Sequence, residues 1–224
     1  MIPFKNIRVQ KSEYGTVTCY CKSHDNRVFG ITAAHVLFGT DRKVNLQDIV
    51  EVQNIETGRW IKSGLVYKAN FSNGFGSFSN WGTIDAGIFM LRKSFIDRIK
   101  LNLRPLRISP LLKDDPMALK GEILYSYSSF FNKKIKGKIV KVFYTYGVDS
   151  HKNRPEKQRF DILIESLDES QITDSRDSGL LWTDKRGGAV AMHTHGFGNK
   201  RFSCSTFIDR IASNFQVGLL YYRD

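Results

Sequence analysis

Short apolar runs alternate with turns rich in Gly, Asn, Ser and Lys along almost the whole chain. The runs are rich in Val, Ile, Phe, Tyr and Thr, which is typical of strands. We expect strands at residues 15–21, 28–32, 43–46, 49–53, 60–68, 83–91, 121–127, 136–146, 160–164, 179–183, 189–194 and 202–205, with residues 1–11 as a short strand or a lead-in. The pattern predicts an all-β protein of sandwich or barrel type.

Two stretches break the strand pattern. Residues 94–103 combine polar residues with Phe95, Ile96 and Ile99 and are predicted to form a helical turn. Residues 206–215 are predicted to form an amphipathic C-terminal helix. Its apolar face consists of Phe207, Ile208, Ile211 and Phe215. Residues 70–82 and 147–159 are polar, and we expect long loops there, the first of them mobile.

The length of 224 residues and the apolar fraction of 41% suit one large or two small domains with a substantial core. No apolar run reaches the roughly 18 residues that a membrane span needs, so we expect no membrane association. The N-terminus lacks the apolar centre of a signal peptide. Cys19, Cys21 and Cys204 do not form a disulfide framework. We interpret them as reduced, buried thiols, which predicts a cytoplasmic location, or the host cytoplasm for a viral protein.

The formal net charge of +12 favours acidic partners, including nucleic acid or acidic peptides. A solvated lysine-rich surface has the same charge. The densest basic stretch, residues 133–141, alternates Lys with Ile and Val, and is more simply a hairpin strand with one wet face. Both interpretations stay open at the level of the sequence.

Three short motifs carry the candidate chemistry. Thr-Ala-Ala-His ends at His35, Ile-Asp-Ala-Gly-Ile places Asp85 at the start of an apolar strand, and Asp-Ser-Gly centres on Ser178. Each motif alone is weak, since a capping histidine or a turn residue would look the same. Together, in the order His, Asp, Ser, they resemble the chymotrypsin-like (trypsin-fold) serine peptidase family, from about residue 12 to the C-terminus.

This resemblance implies an all-β fold of two antiparallel six-stranded β-barrels, with a C-terminal α-helix docked on the second barrel. We expect residues 1–95 to form the N-terminal barrel carrying His35 and Asp85. Residues 96–120 are expected to be the linker, and residues 121–224 the C-terminal barrel carrying Ser178. The site would lie in the cleft between the barrels.

The implied activity is that of a trypsin-like serine protease acting on polypeptide substrates. Serine becomes a nucleophile when a base takes its proton, and the unperturbed pKa of a histidine suits that role. Asp85 would fix the tautomer of His35 and stabilise its imidazolium. No metal or organic cofactor is implied. A zinc site is also not expected at the cysteines, which have no histidine nearby at ligand spacing.

The oxyanion hole implied by the resemblance is formed by the N–H groups of Ser178 and Arg176. The family usually has glycine at the Arg176 position, and glycine accepts backbone angles that side chains resist. Leu180 also departs from the family pattern. Two outcomes are open. The Arg176 N–H points into the hole and the site is formed, or the peptide is turned away and the enzyme is latent, with the guanidinium bound to an acidic group such as Asp174; we favour latency. The alternative to an enzyme is a catalytically inactive relative that binds peptide or nucleic acid.

In zymogen-activated members the aspartate before the nucleophile pairs with a newly cut N-terminus. No activation site is evident before Gly15. We therefore expect either that the protein has no zymogen step or that Asp177 pairs with a cationic group inside the chain.

The strand of residues 191–196 resembles the Gly-Ile-His-x-x-Gly strand of glutamyl endopeptidases and of viral chymotrypsin-like processing proteases. The resemblance implies that His193 and Thr173 bind a Glu or Gln side chain before the cut. It also places Thr194 behind the triad, with its hydroxyl bonded to Asp85. His195 and Gly196 would complete the substrate-binding edge. The alternative is that His193 is a satisfied strand histidine.

Overall fold

The computed structural model describes residues 4–9, 14–38, 45–54, 56–71, 84–113, 115–128, 130–148, 156–168, 172–197 and 201–223. The expected strand at 43–46 and the expected loops at 70–82 and 147–159 lie partly outside these ranges. Within the described ranges, no helix combines the length and the apolar character needed to cross a bilayer.

The strands of the first half are β1 (Phe4–Val9), β2 (Tyr14–Thr16), β3 (Cys19–Ser23), β4 (Val28–Thr32), β5 (Ile49–Asn54), β6 (Trp60–Phe71), β7 (Asp85–Leu91) and β8 (Leu103–Pro105). Those of the second half are β9 (Ile123–Ser128), β10 (Lys133–Val148), β11 (Glu156–Ser166), β12 (Leu181–Thr183), β13 (Ala189–Phe197), β14 (Phe202–Phe207) and β15 (Val217–Tyr222). The helices are α1 (Ala34–Phe38), α2 (Lys93–Ile99) and α3 (Ile208–Phe215). Short 3₁₀ turns span Lys100–Asn102, Pro110–Lys113, Pro116–Leu119 and Ser175–Asp177.

These strands form two antiparallel sheets. The second is a closed barrel in the order β10-β11-β14-β13-β12-β9. The first has the order β2-β1-β5-β6-β7-β4-β3-β15-β8. The predicted all-β class with a C-terminal helix is confirmed. The first sheet has nine strands instead of the predicted six. Strand β1 joins it, the predicted strand 15–21 is divided into β2 and β3, β8 and β15 extend it beyond β3, and residues 45–46 of the predicted strand 43–46 are not in a strand.

The C-terminal strand β15 returns to the first sheet. It pairs antiparallel with β3, where Leu219 lies opposite Cys21, and with β8 on its other side. The last residues therefore complete the first sheet, although the predicted division of the chain would place them with the second barrel. The proposed division into residues 1–95, 96–120 and 121–224 stays a prediction.

Helix α3 precedes β15 and buries its apolar face in the larger core. The buried residues of α3 are Ile208, Ile211, Ala212 and Phe215. They belong to the same hydrophobic cluster as Phe29, Ile31 and Phe89 of the first sheet. The helix also packs against β13 and β14, so the expected docking on the second barrel is confirmed, and the first sheet contributes to the same core.

Strand β10 shows why the basic stretch forms a strand. Ile135 and Ile139 are buried, whereas Lys134, Lys136 and Lys138 are exposed. Successive strand residues point to opposite faces, so one face packs and the other is wet. Lys136 and Lys133 also lie over the rings of Tyr125 and Phe131.

Candidate active site

His35 and Asp85 are brought together by the pairing of β4 with β7. Thr32 of β4 lies opposite Gly87 of β7, so the chain that leaves β4 into α1 passes the start of β7. His35 is the second residue of α1, and Asp85 is the first of β7. Nδ1 of His35 lies 2.7 Å from Oδ2 of Asp85, and the backbone N–H of His35 donates to Oδ1 at 3.2 Å. Two contacts fix the imidazole against the carboxylate.

The charge on Asp85 is supported by its neighbours. Burial raises the pKa of this carboxyl, but the hydrogen bond and charge of His35 and the charge of His195 outweigh it. The net result is a pKa below the usual range for aspartate. Asp85 is therefore ionised at neutral pH, so Nδ1 of His35 carries the hydrogen and donates it.

Ser178 lies at the end of the 3₁₀ turn Ser175–Asp177 and is almost buried, with 4% of its surface exposed. Its carbonyl accepts a 2.8 Å hydrogen bond from the N–H of Thr16. Gly179 follows with φ of +96°, and a Cβ there would lie 2.1 Å from the carbonyl oxygen of Thr16. The Asp-Ser-Gly motif thus ends in glycine because the chain turns sharply against β2.

The carboxylate of Asp177 accepts hydrogen bonds that hold this turn in place. Ser128 donates to its carboxylate at 2.9 Å, and the N–H of Asp174 donates to it at 3.0 Å. Burial raises the pKa of Asp177 above its usual range, although these hydrogen bonds act in the opposite direction. In the described part of the chain its partners are hydroxyl and N–H groups, and no cationic partner for Asp177 is found there.

A cavity of about 480 Å³ joins the predicted site residues. Its lining residues are Tyr14, His35, Thr173, Asp174, Ser175, Arg176, Ser178, His193, Thr194, His195 and Gly196. Every predicted site residue except Asp85 thus lines one cavity, and Asp85 is bonded to His35 behind its wall. The hydroxyl of Ser178 donates to the carbonyl of Thr194 at 3.4 Å, which is long for an O–H···O bond.

His193 lies in the floor of this cavity and is buried. Its Nδ1 lies 2.7 Å from Oγ of Ser203, which also accepts from Nε1 of Trp182 at 3.0 Å. Burial, with a smaller repulsion from His195 and His35, lowers the pKa of His193 to about 3. The ring is therefore neutral. A Cβ built on Gly196 would lie 2.9 Å from Oγ1 of Thr173 and 4.0 Å from Cε1 of His193. Both side chains are therefore beside this glycine.

Thr194 and His195 differ from the expectation. Oγ1 of Thr194 donates to the carbonyl of Cys204 at 3.1 Å, so the expected hydrogen bond from Thr194 to Asp85 was wrong. Instead, Nδ1 of His195 lies 3.8 Å from Oδ2 of Asp85, and its ring centroid lies 5.3 Å from that of His35. A break in register between His193 and His195, where β13 pairs with β14, changes which side chains turn inward.

The N–H of Arg176 is directed at Asp174. It donates to Oδ1 of Asp174 at 3.3 Å, and Nε of Arg176 lies 3.6 Å from the same oxygen. The guanidinium carbon lies 3.6 Å from the ring centroid of Phe130, and the carbonyl of Arg176 accepts from Oγ1 of Thr16 at 3.0 Å. Four contacts hold this peptide in a 3₁₀ turn, a conformation that any L-residue adopts.

Sequence reasoning missed Tyr14 and Phe130. Tyr14 lines the cavity from β2, and Phe130 supports Arg176 from the turn after β9. Neither lies in a motif, and no spacing connects them to Ser178. They are identified only by the folded chain, because each reaches the site from a segment that is distant from Ser178 in the sequence.

His35, Asp85 and His195 are also the one group of potential metal ligands found in the described ranges, with ligand atoms within 4.8 Å of one another. Two imidazoles and a carboxylate are suitable ligands for a transition metal.

No protein-family model matches the sequence, and no curated protein matches it significantly. Solved structures do match. Thermobifida fusca protease A has a TM-score of 0.58 and 13% identity over 97% of each chain. Cellulomonas bogoriensis chymotrypsin has a TM-score of 0.56 and 11% identity over 97% of each chain. A glutamic-acid-specific serine protease, described as using a histidine triad in substrate binding, has a TM-score of 0.55 and 13% identity over 96% of this chain and 97% of its own.

At these identities the likeness is one of fold. The chain has the chymotrypsin-like fold, and the resemblance inferred from the three motifs is confirmed at that level.

Proposed function

We propose that this chain is a serine endopeptidase that hydrolyses peptide bonds through an acyl-enzyme. Ser178 is the nucleophile, His35 the general base, and Asp85 the carboxylate that orients His35. The observation that carries the proposal is the 2.7 Å contact between His35 Nδ1 and Asp85 Oδ2, beside a cavity that His35 shares with Ser178. The Ser-His-Asp triad occurs on the chymotrypsin-like fold in other proteins.

The proposed reaction starts when the Ser178 hydroxyl leaves the carbonyl of Thr194 and turns to His35. Because Nδ1 of His35 is held by Asp85, its Nε2 takes the Ser178 proton while Oγ attacks the substrate carbonyl carbon. The ionised Asp85 stabilises the imidazolium, which then gives its proton to the leaving amine. Water repeats the sequence on the acyl-enzyme and releases the acid.

The proposed substrate carries Glu or Gln before the cut. The neutral ring of His193 is bonded through Nδ1 to Ser203, which leaves Nε2 for a ligand in the cavity. Oγ1 of Thr173 lies beside Gly196, as the ring of His193 does. An imidazole and a hydroxyl can hydrogen-bond a carboxylate or an amide, and neither neutralises Lys or Arg. The glutamic-acid-specific neighbour of the same fold supports this choice.

The proposed enzyme is latent in its free form. An oxyanion hole needs N–H groups aimed at the developing charge. The N–H of Arg176 is instead bonded to Asp174. Substrate or a partner would have to turn this peptide before the second hydrogen bond to the oxyanion is available.

The decisive experiment is to label the chain with a fluorophosphonate and to measure hydrolysis of a mixed peptide library. We expect labelling at Ser178, and we expect Ser178→Ala to lose several orders of magnitude in rate with an unchanged circular-dichroism spectrum. Equal turnover by the parent and by Ser178→Ala would remove Ser178 from the mechanism.

The second candidate function is an inactive homologue that binds a peptide in the same cleft. The bond from Arg176 to Asp174 favours it, because a permanently turned peptide leaves the hole incomplete. A folded chain that binds library peptides but is labelled by no fluorophosphonate, even when Arg176 is replaced by glycine, would support this function over the protease.

A further inference from the structure

His195 is not used by the proposed hydrolysis, yet it lies against the His35–Asp85 pair. Its Nδ1 is 3.8 Å from Oδ2 of Asp85, the same oxygen that lies 2.7 Å from Nδ1 of His35. The ligand atoms of the three side chains all lie within 4.8 Å of one another. Two ring nitrogens thus converge on one buried carboxylate oxygen from two sides.

Such an arrangement matches the needs of a tetrahedral metal ion. Zn²⁺ holds nitrogen and oxygen ligands at about 2.0–2.2 Å, so neighbouring ligand atoms lie roughly 3.3 Å apart. The observed separations of 2.7 and 3.8 Å lie on either side of that value. Small rotations of the two rings would satisfy it, and the side chain of His195 is 44% exposed and has room to rotate.

We propose that His35, Asp85 and His195 form a binding site for one Zn²⁺ ion. The three side chains supply two imidazole nitrogens and one carboxylate oxygen. The fourth position faces the cavity that both histidines line, and water or a substrate atom can occupy it. The set suits Zn²⁺ rather than Mg²⁺ or Ca²⁺, which prefer oxygen ligands.

The surroundings of the site suit a cation. The carboxylate of Asp85 is buried between the two imidazoles, and each ring has a nitrogen that can offer a lone pair to a metal. For His35, binding requires a change of tautomer, in which the hydrogen on Nδ1 moves to Nε2 and Nδ1 offers its lone pair to the ion.

The cysteines do not compete for the metal. Cys19, Cys21 and Cys204 are buried free thiols. Burial raises the pKa of Cys21 and of Cys204 to about 12. A thiol must lose its proton to bind zinc, so these groups stay unavailable in the folded chain. The exposed His24 is a solitary imidazole on the turn after β3 and serves as a matched control.

Zinc at this site would block the proposed hydrolysis. The His35 tautomer that binds the ion carries hydrogen on Nε2, and it cannot accept the proton of Ser178. This consequence rests on the proposed function, whereas the binding itself does not. A chain that hydrolyses nothing can still bind the metal.

The test uses the full chain with Ser178→Ala, so that no proteolysis occurs during the measurement. After treatment with a chelator, titration with ZnCl₂ is followed by calorimetry, and titration with CoCl₂ by the visible absorption of tetrahedral Co²⁺. We expect one ion per chain. His195→Gln in the same background should weaken zinc binding by at least about 10-fold, since even loss of a group that only orients a ligand costs 10–100-fold.

His24→Gln should bind zinc as the parent does, and MgCl₂ should give no titration. Absence of zinc binding by the parent would overturn the proposal. Binding by His195→Gln as tight as that of the parent, or an equal loss in His24→Gln, would also overturn it. The circular-dichroism spectrum checks that each variant is folded. In a second arm with Ser178 present, zinc should stop peptide hydrolysis, and a chelator should restore it.

Discussion

In the proposed pocket the ring of His193 is the group that contacts the substrate side chain. Its burial lowers the pKa to about 3, so the ring itself adds no positive charge at neutral pH. Binding then depends on hydrogen bonds, and their loss is costly inside a buried site because the partner stays unsatisfied.

We expect His193→Ala to reduce turnover of Glu and Gln substrates by roughly 10–1000-fold, because the substrate side chain is left without a partner. The measurement is kcat/KM on a peptide pair that differs only in the residue before the cut. His24→Ala, on an exposed turn, is the control and should behave as the parent. Cuts after Lys, Arg or aromatic residues in a library would contradict the pocket assignment.

At this scale the sequence was informative for residues inside motifs and uninformative for their orientation. The positions of His35, Asp85 and Ser178 follow from three short patterns. The inward turn of His195 in place of the Thr194 hydroxyl depends on an irregular register between β13 and β14. No residue type marks that irregularity, so the pattern alone predicts the wrong neighbour for Asp85.

At the scale of elements, the 3₁₀ turn Ser175–Asp177 holds the N–H of Arg176, one of the two donors of the proposed oxyanion hole. Asp174 caps the turn: its Oδ1 accepts from the N–H of Arg176 and from the hydroxyl of Ser175 at 3.1 Å. Phe130 lies under the guanidinium, which adds a cation–π contact to the cap. The arginine side chain therefore stabilises the conformation in which its own N–H is unavailable.

We expect Arg176→Gly to raise hydrolysis of small ester substrates while Ser178 remains required. Glycine removes the contacts to Asp174 and Phe130 and accepts the backbone angles of a turned peptide. The assay is kcat for an activated ester, with Arg176→Gly plus Ser178→Ala as the blank. A variant no faster than the parent would contradict latency.

Asp174→Ala separates the two contributions to latency. It removes the oxygen that accepts the Arg176 N–H but leaves the stacking on Phe130. We expect a smaller gain in ester hydrolysis than that of Arg176→Gly. If Asp174→Ala lowers the rate instead, the carboxylate supports the active conformation. The proposal that Asp174 keeps the enzyme latent would then be wrong.

Most strands were predictable because β-branched and aromatic runs are bounded by turn residues. Strand β15 was not. Helix α3 ends at Gln216 in the left-handed conformation, with φ of 55°, where glycine is the usual signal for a helix end. With glutamine there, the start of a new strand is hidden. For that reason the prediction ends with the helix and lacks this strand.

At the scale of the whole molecule, the two ends of the sequence depend on each other. Leu219 of β15 is 7% exposed and lies opposite Cys21 of β3. The core of the first sheet thus contains residues from the last part of the chain. The basic residues of β10, in contrast, lie on its solvent-exposed face. A nucleic-acid or acidic partner stays a prediction.

We expect Leu219→Ala to lower the free energy of unfolding by about 2–5 kcal/mol, the usual range for a buried leucine replaced by alanine. Leu101→Ala, at a side chain with 77% of its surface exposed, should change it little. Urea unfolding monitored by tryptophan fluorescence measures both. Equal midpoints for the two variants would mean that β15 does not contribute to the core.

The place of β15 also sets an order of events during synthesis. A chain leaves the ribosome from its N-terminus, and domains usually fold as they emerge. Strand β3 can pair with β15 only after residues 217–222 have been translated, and these residues follow Ser178 in the chain. The sheet that supports His35 and Asp85 is therefore completed after the segment that contains Ser178 has been translated. A nascent chain consequently brings the three residues of the proposed triad to their final positions only after Ser178 has left the ribosome.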